Sequence, residues 1–414
     1  MSTYDGIIIG TGHNGLIAQA YLSKAGFKTL SVDRLPVAGG GLRTEENQRH
    51  PGVVHNTHAF FQRAITDMPW YRDLELEKHG AAYIQPELNV AMLLKDGSSL
   101  QWWTDFERTR ASFARVSEKD ARTLQRWHDD FVPILHNVLR PEGAAPPLPP
   151  VERHRLLERT RSGRLLLEVS ALSPLEFVMR EFEHPAVQAG LLFFNGLREV
   201  DLRARGFGHH IASLLASPSK AQLARGGSVQ LARAIESVIR ENGGEIRLNT
   251  ELKRILVENG RAVGIETAEG EVLRARSFVA SSLNPQQTFL DLIEEQHLPA
   301  EWRAKAANFK YNLLAPLFTL HLVLNEVPRY AAAKLDPRLN DAFMVILGLD
   351  HVDQFHDIVR HHEAGTIPPT VMYGASATQF DPSQAPAGRH TAFMWEKLPF
   401  RLGGDPLNWD TAQH

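Results

Sequence analysis

The sequence predicts an α/β fold in which a parallel sheet carries an antiparallel three-stranded meander, together with an interleaved α+β domain. Two observations lead to this prediction. A strand, a glycine turn, a helix and a second strand open the chain, which is the order of a parallel βαβ unit. Two tight-turn signals follow each other closely near Asn259, as they do in a meander. The length of 414 residues allows two or three domains of about 150 residues each.

The first βαβ unit is formed by the N-terminal residues. Ile7 to Ile9 is a β-branched run that predicts a strand. A helical pattern extends from Asn14 to Ala25 and ends at Gly26, because glycine suits the left-handed position that follows a helix. Lys28 to Asp33 then predicts a second strand, parallel to the first.

A second organised block begins at the turn from Arg225 to Ser228. A helical pattern continues from this turn to about Glu241, and a strand is predicted from Glu245 to Leu248. Two hairpins with Asn-Gly and Glu-Gly turns come next. Their predicted strands are Leu252 to Val257, Ala262 to Thr267 and Val272 to Arg276, followed by a return through Phe278 to Ala280.

Much of the remaining chain is assigned to the second domain. The prolines between Pro141 and Pro150 exclude a helix or a central strand, so we expect a surface loop there. Leu313 to Leu324 is too short to cross a bilayer and predicts a buried strand. The predicted domains are residues 1–70 with 215–290, and residues 71–214 with 291–414.

Composition excludes several classes of function. The chain has no cysteine, which rules out disulfides, thiolate metal sites and cysteine nucleophiles, so redox chemistry requires a bound cofactor. A net charge of -3 does not favour nucleic acid as a partner. The N-terminus lacks a signal-peptide pattern, and we expect a cytoplasmic protein. The basic segment Arg153 to Arg164 could rest on an anionic membrane, although Glu152 and Glu158 favour a solvated helix face.

The turn Gly10-Thr11-Gly12-His13-Asn14-Gly15 carries a G-x-G-x-x-G motif between the first strand and helix. Gly10 permits the tight turn, Gly12 lets a pyrophosphate approach the backbone, and Gly15 lets the helix pack closely on the sheet. The helix N-terminus offers free N–H groups to the phosphates. Asp33 ends the second strand, where an acid can hold a ribose hydroxyl. The sequence therefore predicts a Rossmann-like domain that binds a dinucleotide.

A second glycine cluster distinguishes between the two dinucleotides that use this turn. Gly39-Gly40-Gly41 begins six residues after Asp33. An NAD domain does not need glycines there, whereas a flavin enzyme does, because a second backbone stretch approaches the pyrophosphate. FAD is therefore the predicted cofactor, and an ordinary glycine loop is the alternative.

These motifs resemble the phytoene-desaturase-like FAD-dependent oxidoreductases. Within them, the chain is most similar to the branch of pyridine nucleotide-disulfide oxidoreductase domain-containing protein 2 and the carotenoid ketolase and isomerase relatives. The resemblance includes Thr44-Glu45-Glu46, Gly226-Gly227, and Asp381-Pro382 with the following residues to His390. It implies a substrate domain interleaved with the FAD domain. The FAD-binding residues that it implies are Gly10, Gly12, His13, Asn14, Gly15, Asp33, Arg34, Gly39, Gly40, Gly41, Leu42, Arg43 and Leu252.

Some features depart from the family pattern. Asp33 stands where the family more often has Glu, and Gln19 stands where a small residue usually lets helix and strand pack. Related chains continue past Trp409 into a strand and a helix that complete the FAD domain. We therefore expect this chain to lack that closing element.

The resemblance implies hydride transfer between flavin N5 and a largely apolar, isoprenoid or carotenoid-like substrate. Because the flavin accepts the hydride, no protein nucleophile is required. His55 and His58 are catalytic candidates near the expected position of the flavin ring, and His321 is a candidate lining the substrate cavity. A structural histidine is the alternative for each. No metal site is predicted, because the spacings from His351 to Glu363 match no familiar ligand motif.

Other possibilities stay open at this stage. The electron acceptor is oxygen, a quinone or NAD(P). A non-catalytic or incomplete flavin fold is the first alternative function, and a nicotinamide-dependent dehydrogenase is the second. The Gly39 to Gly41 cluster argues against the second alternative.

Overall fold

The structure is a computed structural model that describes residues 3–196, 201–217, 221–312 and 316–412, without the side chains of residues 194–196. The chain divides into two compact units. The first unit comprises Met1–Gln85, Ala221–Lys310 and Ala377–Thr391. The second unit comprises Pro86–Lys220, Tyr311–Ser376 and Ala392–His414.

The strands in the described part of the chain are β1 (Thr3–Ile9), β2 (Thr29–Val32), β3 (Thr44–Glu46), β4 (Val54–Asn56), β5 (Gln62–Arg63), β6 (Tyr83–Ile84), β7 (Leu88–Leu93), β8 (Ser99–Trp103), β9 (Ala221–Ala224), β10 (Glu245–Arg247), β11 (Leu252–Glu258), β12 (Arg261–Thr267), β13 (Val272–Ser281), β14 (Phe318–Leu324), β15 (Met344–Leu347), β16 (Met372–Ala375) and β17 (His390–Glu396).

The α-helices are α1 (His13–Lys24), α2 (Pro69–Asp73), α3 (Phe106–Val116), α4 (Glu118–Ile134), α5 (Arg140–Gly143), α6 (Pro150–Glu158), α7 (Arg161–Ser170), α8 (Pro174–Glu181), α9 (Pro185–Gly196), α10 (His209–Ala216), α11 (Val229–Glu241), α12 (Ala300–Ala307), α13 (Asp353–Ala364) and α14 (Asn408–Thr411). Within the four described ranges, none of these helices is long and apolar enough to span a bilayer.

The main sheet of the first unit has six strands in the order β10-β2-β1-β13-β12-β11. The strands β10, β2, β1 and β13 run parallel, and β11 to β13 form an antiparallel meander. The predicted α/β fold, with its parallel sheet and three-stranded meander, is confirmed. Asn259 has a φ of 51° and Gly260 a φ of 75°, as the tight turn between β11 and β12 requires.

Strand β13 is one continuous strand, whereas the sequence predicted two separate segments, Val272 to Arg276 and Phe278 to Ala280. Its first part pairs antiparallel with β12, where Arg274 lies opposite Gly264. Its second part pairs parallel with β1, where Val279 lies opposite Ile7. Polar residues in the middle of the segment interrupt the apolar pattern on which periodicity depends, so the sequence did not reveal one continuous strand.

Helices α1 and α11 pack against each other beside this sheet. Leu16 and Ala20 of α1 share a buried apolar cluster with Leu231 and Ile235 of α11. Gln19 is also buried, and its Nε2 donates a hydrogen bond to the carbonyl oxygen of Glu245 at 2.8 Å. The glutamine amide therefore ties α1 to the edge strand β10.

The division into units differs from the predicted boundaries. The first boundary follows Gln85 rather than residue 70, and residues 377–391 fall in the first unit rather than the second. The reason for the latter is polar contact, since the Asp381 carboxylate accepts a hydrogen bond from the backbone N–H of Gly226 at 2.6 Å. This contact joins residues that are far apart in sequence.

The second unit contains a six-stranded sheet in the order β14-β17-β16-β15-β7-β8. The strands β7 and β15 run parallel, while β7 with β8, and β15 to β17, pair antiparallel. Of the strand predicted from Leu313 to Leu324, residues 318–324 do form a strand, but the prediction that it is buried was wrong. Strand β14 lies at the sheet edge, and Phe318 and Leu320 are 45% and 39% exposed. Residues 313–315 lie outside the described residues.

The proline-rich segment is only partly a loop. Residues 144–149 are not helical, but α5 includes Pro141 and α6 begins at Pro150. Proline is tolerated in the first turn of a helix, where its missing N–H has no intrahelical partner to lose. Arg153 forms a bidentate ion pair with Glu142, with N–O distances of 2.8 and 2.9 Å. The membrane contact considered for this basic segment stays a prediction.

Candidate cofactor site

The first glycine turn connects β1 to α1 in the first unit. The backbone N–H of Gly10 donates to the carbonyl oxygen of Val32 at 2.8 Å, which fixes the turn against β2. Helix α1 begins at His13, and no side chain of the described residues caps its N-terminus. Its first turn also contains no acidic residue. The free N–H groups and the helix dipole therefore favour a bound anion at this end.

Two glycines of this turn have different spatial roles. A Cβ atom added at Gly15 would overlap the carbonyl oxygen of Gly10, so α1 packs on the turn only without a side chain there. A Cβ added at Gly12 would meet no heavy atom of the described residues within 4 Å. Gly15 therefore serves packing, whereas Gly12 leaves open space in front of the backbone.

Asp33 follows β2 and braces the turn. Its Oδ2 accepts hydrogen bonds from the backbone N–H and the hydroxyl of Thr11, both at 2.8 Å. Its Oδ1 accepts one from the backbone N–H of Leu35 at 3.0 Å. A carboxylate offers about four lone-pair positions, so one position on Oδ1 stays available for a ligand hydroxyl.

The second glycine stretch lies directly against the first. Gly12 and Gly39 form a parallel bridge, and the Gly39 N–H donates to the carbonyl oxygen of Thr11 at 2.8 Å. A Cβ added at Gly40 would lie 3.0 Å from the Cα of Gly12. Two backbone stretches without side chains therefore meet at one point.

A cavity of about 450 Å³ opens beside these two stretches. This volume is in the usual range for small-molecule and cofactor sites. Six of the thirteen predicted cofactor residues line it: Gly10, Gly12, Asp33, Arg34, Gly40 and Leu252. The cavity lining also includes Ser282, Asn284 and Gln287, which sequence reasoning missed because they follow β13 without a motif.

The other predicted cofactor residues lie around the cavity rather than in its wall. His13 and Asn14 are exposed in the first turn of α1, and Gly41 is exposed after the second glycine stretch. Leu42 is buried in the apolar cluster that α1 and α11 share. Arg43 forms an ion pair with Glu45. Gly15 and Gly39 are buried and allow close packing.

The three catalytic candidates fall in different places. His55 is buried in β4, with its Nε2 3.1 Å from the Nδ2 of Asn47. His58 is exposed, and the next residue, Ala59, donates its N–H to the carbonyl oxygen of Gly41 at 3.0 Å. His321 belongs to the second unit and is half-buried on β14. The structure thus brings His58 beside the second glycine stretch.

The first unit contains a buried network of hydrogen bonds between polar residues that sequence reasoning did not predict. The Oδ1 of Asn56 accepts hydrogen bonds from the Thr44 hydroxyl at 2.8 Å and the Ser228 N–H at 2.9 Å. The Nδ2 of Asn56 donates to the Oε1 of Gln384 at 3.0 Å, and the Nε2 of Gln384 donates to Asp381 at 3.0 Å. The sequence contains two motifs that belong to this network, Gly226-Gly227 and Asp381-Pro382. It does not show that they lie close together in the fold.

Asp381 is the charged member of this network. Burial raises its pKa, but hydrogen bonds from Ser383, Gln384 and Gly226 outweigh burial and hold the pKa below its usual value. Its side chain is 1% exposed. Asp381 therefore stays ionised and accepts hydrogen bonds only.

The acidic and histidine side chains from His351 to Glu363 serve separate contacts. Asp357 pairs with Arg360, and the Nδ1 of His361 lies 2.7 Å from the hydroxyl of Thr366. In the portions of the chain with described coordinates, no group of three or more His, Cys, Asp or Glu side chains is arranged to hold a metal ion.

Relatives of this chain are found among known sequences and solved structures. The model of an NAD(P)-binding Rossmann-like domain matches residues 8–74. The chain is 32% identical to a limonene dehydrogenase polypeptide of Castellaniella defragrans, over 92% of this chain and 70% of that protein. It is 26% identical to pyridine nucleotide-disulfide oxidoreductase domain-containing protein 2 of Rattus norvegicus, over 98% of this chain and 75% of the relative.

The solved structures show the same fold at lower identity. A putrescine oxidase with redesigned cofactor binding has a TM-score of 0.60 and 13% identity, over 96% of this chain and 76% of the other. The resemblance to the branch of pyridine nucleotide-disulfide oxidoreductase domain-containing protein 2 is confirmed. With 32% identity across most of both proteins, the chain belongs to the NAD(P)-binding Rossmann-like oxidoreductase family that includes this limonene dehydrogenase polypeptide.

Proposed function

We propose that this oxidoreductase is FAD-dependent and that it dehydrogenates, desaturates or isomerises a largely apolar substrate. The observation that carries the proposal is the meeting of two glycine backbones, Gly12 against Gly39 and Gly40. A nicotinamide domain needs only the first of them. The second supports FAD, whose pyrophosphate is approached by backbone from two sides.

The residues of the first unit fit the adenosine diphosphate half of FAD. The uncapped N-terminus of α1 and the open side of Gly12 suit the pyrophosphate. The available lone pair of Asp33 suits a ribose hydroxyl. Leu252 and Leu283 supply apolar cavity wall that suits the adenine ring. When bound, FAD supplies a hydride acceptor and donor at N5.

An apolar substrate is supported by the family, not by a substrate cavity in the structure. One relative is named for limonene, which is a hydrocarbon without polar groups. The resemblance to phytoene-desaturase-like enzymes supports an isoprenoid or carotenoid-like molecule. Such a substrate needs orientation against the cofactor and exclusion of water, which apolar contacts provide.

The two histidines near the second glycine stretch differ in their suitability for chemistry. His55 is buried and held by Asn47, which supports a structural role. His58 is exposed beside the Gly41 backbone, so its ring can meet a ligand. We therefore propose His58 rather than His55 as the residue to test in proton transfer.

Reconstitution with FAD tests the proposal. The purified chain is mixed with FAD, freed of excess cofactor, and examined for the two visible absorption bands of bound flavin. We expect bound flavin that is bleached anaerobically by an isoprenoid hydrocarbon but not by its saturated counterpart. A folded protein that stays colourless refutes the proposal.

The same experiment separates the alternatives. Tight binding of NADH, measured by its fluorescence, without any binding of FAD indicates a nicotinamide-dependent dehydrogenase. Bound flavin that no donor reduces indicates a non-catalytic flavin fold. Reoxidation of reduced flavin by oxygen, a quinone or NAD(P) then identifies the electron acceptor.

A further inference from the structure

The buried network around Asn56 joins three segments of the first unit. One is the hairpin of β3 and β4, the second is the turn before α11, and the third is residues 381–384. Asn56, Asp381 and Gln384 are 5%, 1% and 0% exposed, so water does not compete for these hydrogen bonds.

The donors and acceptors along the network can be assigned in order, starting from Asp381. A carboxylate accepts only, so the Nε2 of Gln384 must face it and the Oε1 of Gln384 must face Asn56. The amide of Asn56 is then oriented with its Oδ1 toward the N–H of Ser228 and the hydroxyl of Thr44. The orientation of the Asn56 amide is therefore fixed from both sides, by Asp381 through Gln384 and by the N–H of Ser228.

Asn56 is in turn connected to the second glycine stretch. The N–H of Thr57, next to Asn56, donates to the carbonyl oxygen of Arg43 at 3.1 Å. The hydroxyl of Ser228 also lies 3.4 Å from that oxygen. Thr44 directly follows Arg43 and bonds to Asn56, with its hydroxyl also accepting from the N–H of Val229 at 3.1 Å. The backbone that ends the second glycine stretch is thus held by the network.

Gly227 shows how closely these segments approach. A Cβ added there would lie 2.6 Å from the hydroxyl oxygen of Thr44 and 3.0 Å from the Oδ1 of Asn56. Gly227 also has a φ of 96°, which residues with side chains rarely adopt. A side chain at residue 227 would therefore displace Thr44 and Asn56 from their hydrogen-bonded positions.

We propose that Asp381 and Gln384 are positioning residues of the cofactor site, acting through Asn56 on the Arg43-Thr44 backbone. This inference rests on the proposed FAD function. The network holds the second glycine stretch in its binding conformation before the cofactor arrives. The binding free energy is therefore not reduced by the entropy cost of ordering this stretch. When such a network is broken, the apparent affinity equals the intrinsic affinity multiplied by the fraction of molecules that stay in the binding conformation.

The second unit provides a matched control. Asp336 precedes Pro337 as Asp381 precedes Pro382, and each begins a short helical turn. Asp336 accepts hydrogen bonds from the N–H two residues on and from the Nε2 of Gln101, as Asp381 does from Ser383 and Gln384. Removing either carboxylate deletes hydrogen bonds from a backbone N–H and from a glutamine amide. Asp336 also loses an ion pair with Arg338, whereas Asp381 loses its bond to Gly226, and only the contacts of Asp381 belong to the first unit.

The test compares Asp381→Ala, Gln384→Met and Asp336→Ala with the unaltered protein. FAD dissociation constants are measured by flavin fluorescence, and hydrogen exchange is measured in the flavin-free protein. We expect Asp381→Ala to weaken FAD binding at least about tenfold and to speed exchange at residues 43–46, 56–59 and 226–229. Gln384→Met keeps the volume and the Asp381 contact to Gly226, and we expect a smaller loss in the same direction.

Asp336→Ala is expected to bind FAD within about twofold of the unaltered protein, although its thermal stability also falls. Equal FAD affinity in all four proteins overturns the inference and leaves the FAD function intact. An unaltered protein that binds no FAD refutes the proposed function instead. If Asp381→Ala does not fold, Gln384→Met decides, and unchanged affinity and exchange in that variant overturn the inference.

Discussion

Replacing Gly12 by alanine separates the ligand role of the first glycine turn from its folding role. Gly12 has a φ of -64° and a ψ of 163°, a conformation open to any residue. No heavy atom of the described chain lies within 4 Å of an added Cβ. We therefore expect the free energy of unfolding of the flavin-free protein to change by less than about 0.5 kcal/mol.

The same methyl group occupies the space in front of the α1 N-terminus that a pyrophosphate would use. Displacing a phosphate from two backbone N–H groups removes two charge-assisted hydrogen bonds of about 1.5–3 kcal/mol each. Gly12→Ala is therefore expected to weaken FAD binding by about 100-fold or more. The assay is flavin fluorescence titration, paired with urea unfolding of the flavin-free protein.

Gly143→Ala is the matched control for this substitution. Gly143 lies in α5 of the second unit, and an added Cβ there also meets no heavy atom of the described residues within 4 Å. We expect this variant to bind FAD like the unaltered protein and to gain about 0.4–1 kcal/mol of stability, because alanine suits the helical backbone at this position better than glycine. A Gly12→Ala protein that keeps its stability and binds FAD within about threefold of the unaltered protein refutes the assignment of this turn to the pyrophosphate.

Three further predictions concern stability. Gly15→Ala should lower the free energy of unfolding by about 2 kcal/mol in the flavin-free protein, because its Cβ overlaps the Gly10 carbonyl oxygen; an unchanged urea midpoint contradicts this. Burial first, and then the charges of His210 and Arg153, lower the pKa of His209 to about 4, so the unfolded chain binds the extra proton below about pH 6.5. His209 should therefore contribute a loss of about 2 kcal/mol of stability between pH 7 and pH 4, and the fall in stability over this range should be smaller by that amount in His209→Gln, as followed by tryptophan fluorescence. Asn259→Val should cost about 1 kcal/mol, while Asn259→Gly should cost little, because φ is 51° there; equal melting temperatures of the two variants argue against this reasoning.

The two glycine turns show how far local sequence goes. The order of strand, glycines and helix identified α1 and β2 within one residue at each end and β1 at its C-terminal end, although β1 begins four residues earlier than predicted, because each depends on contacts between neighbours in the chain. The Asn-Gly turn between β11 and β12 was identified for the same reason. The absence of cysteine, which requires no structure at all, already limited redox chemistry to a bound cofactor.

Other features depended on partners that are distant in sequence. The apolar stretch from Leu313 to Leu324 predicted a strand, but such a stretch does not say whether a strand is central or at an edge, and β14 lies at the edge. The continuity of β13 depends on two different partner strands, β12 and β1. Neither fact is encoded in the segment itself.

The sequence by itself determined that this protein has a dinucleotide-binding turn, a second glycine stretch and an acid after β2, since residue type and spacing suffice for these. Only the tertiary structure decided that Asp33 also braces Thr11, and that Asp381 meets Gly226 across 155 residues of chain. Such contacts form because buried polar groups must find partners wherever the folded backbone brings them. The type of a residue determines whether it needs a hydrogen-bond partner when it is buried. The fold determines which residue becomes that partner.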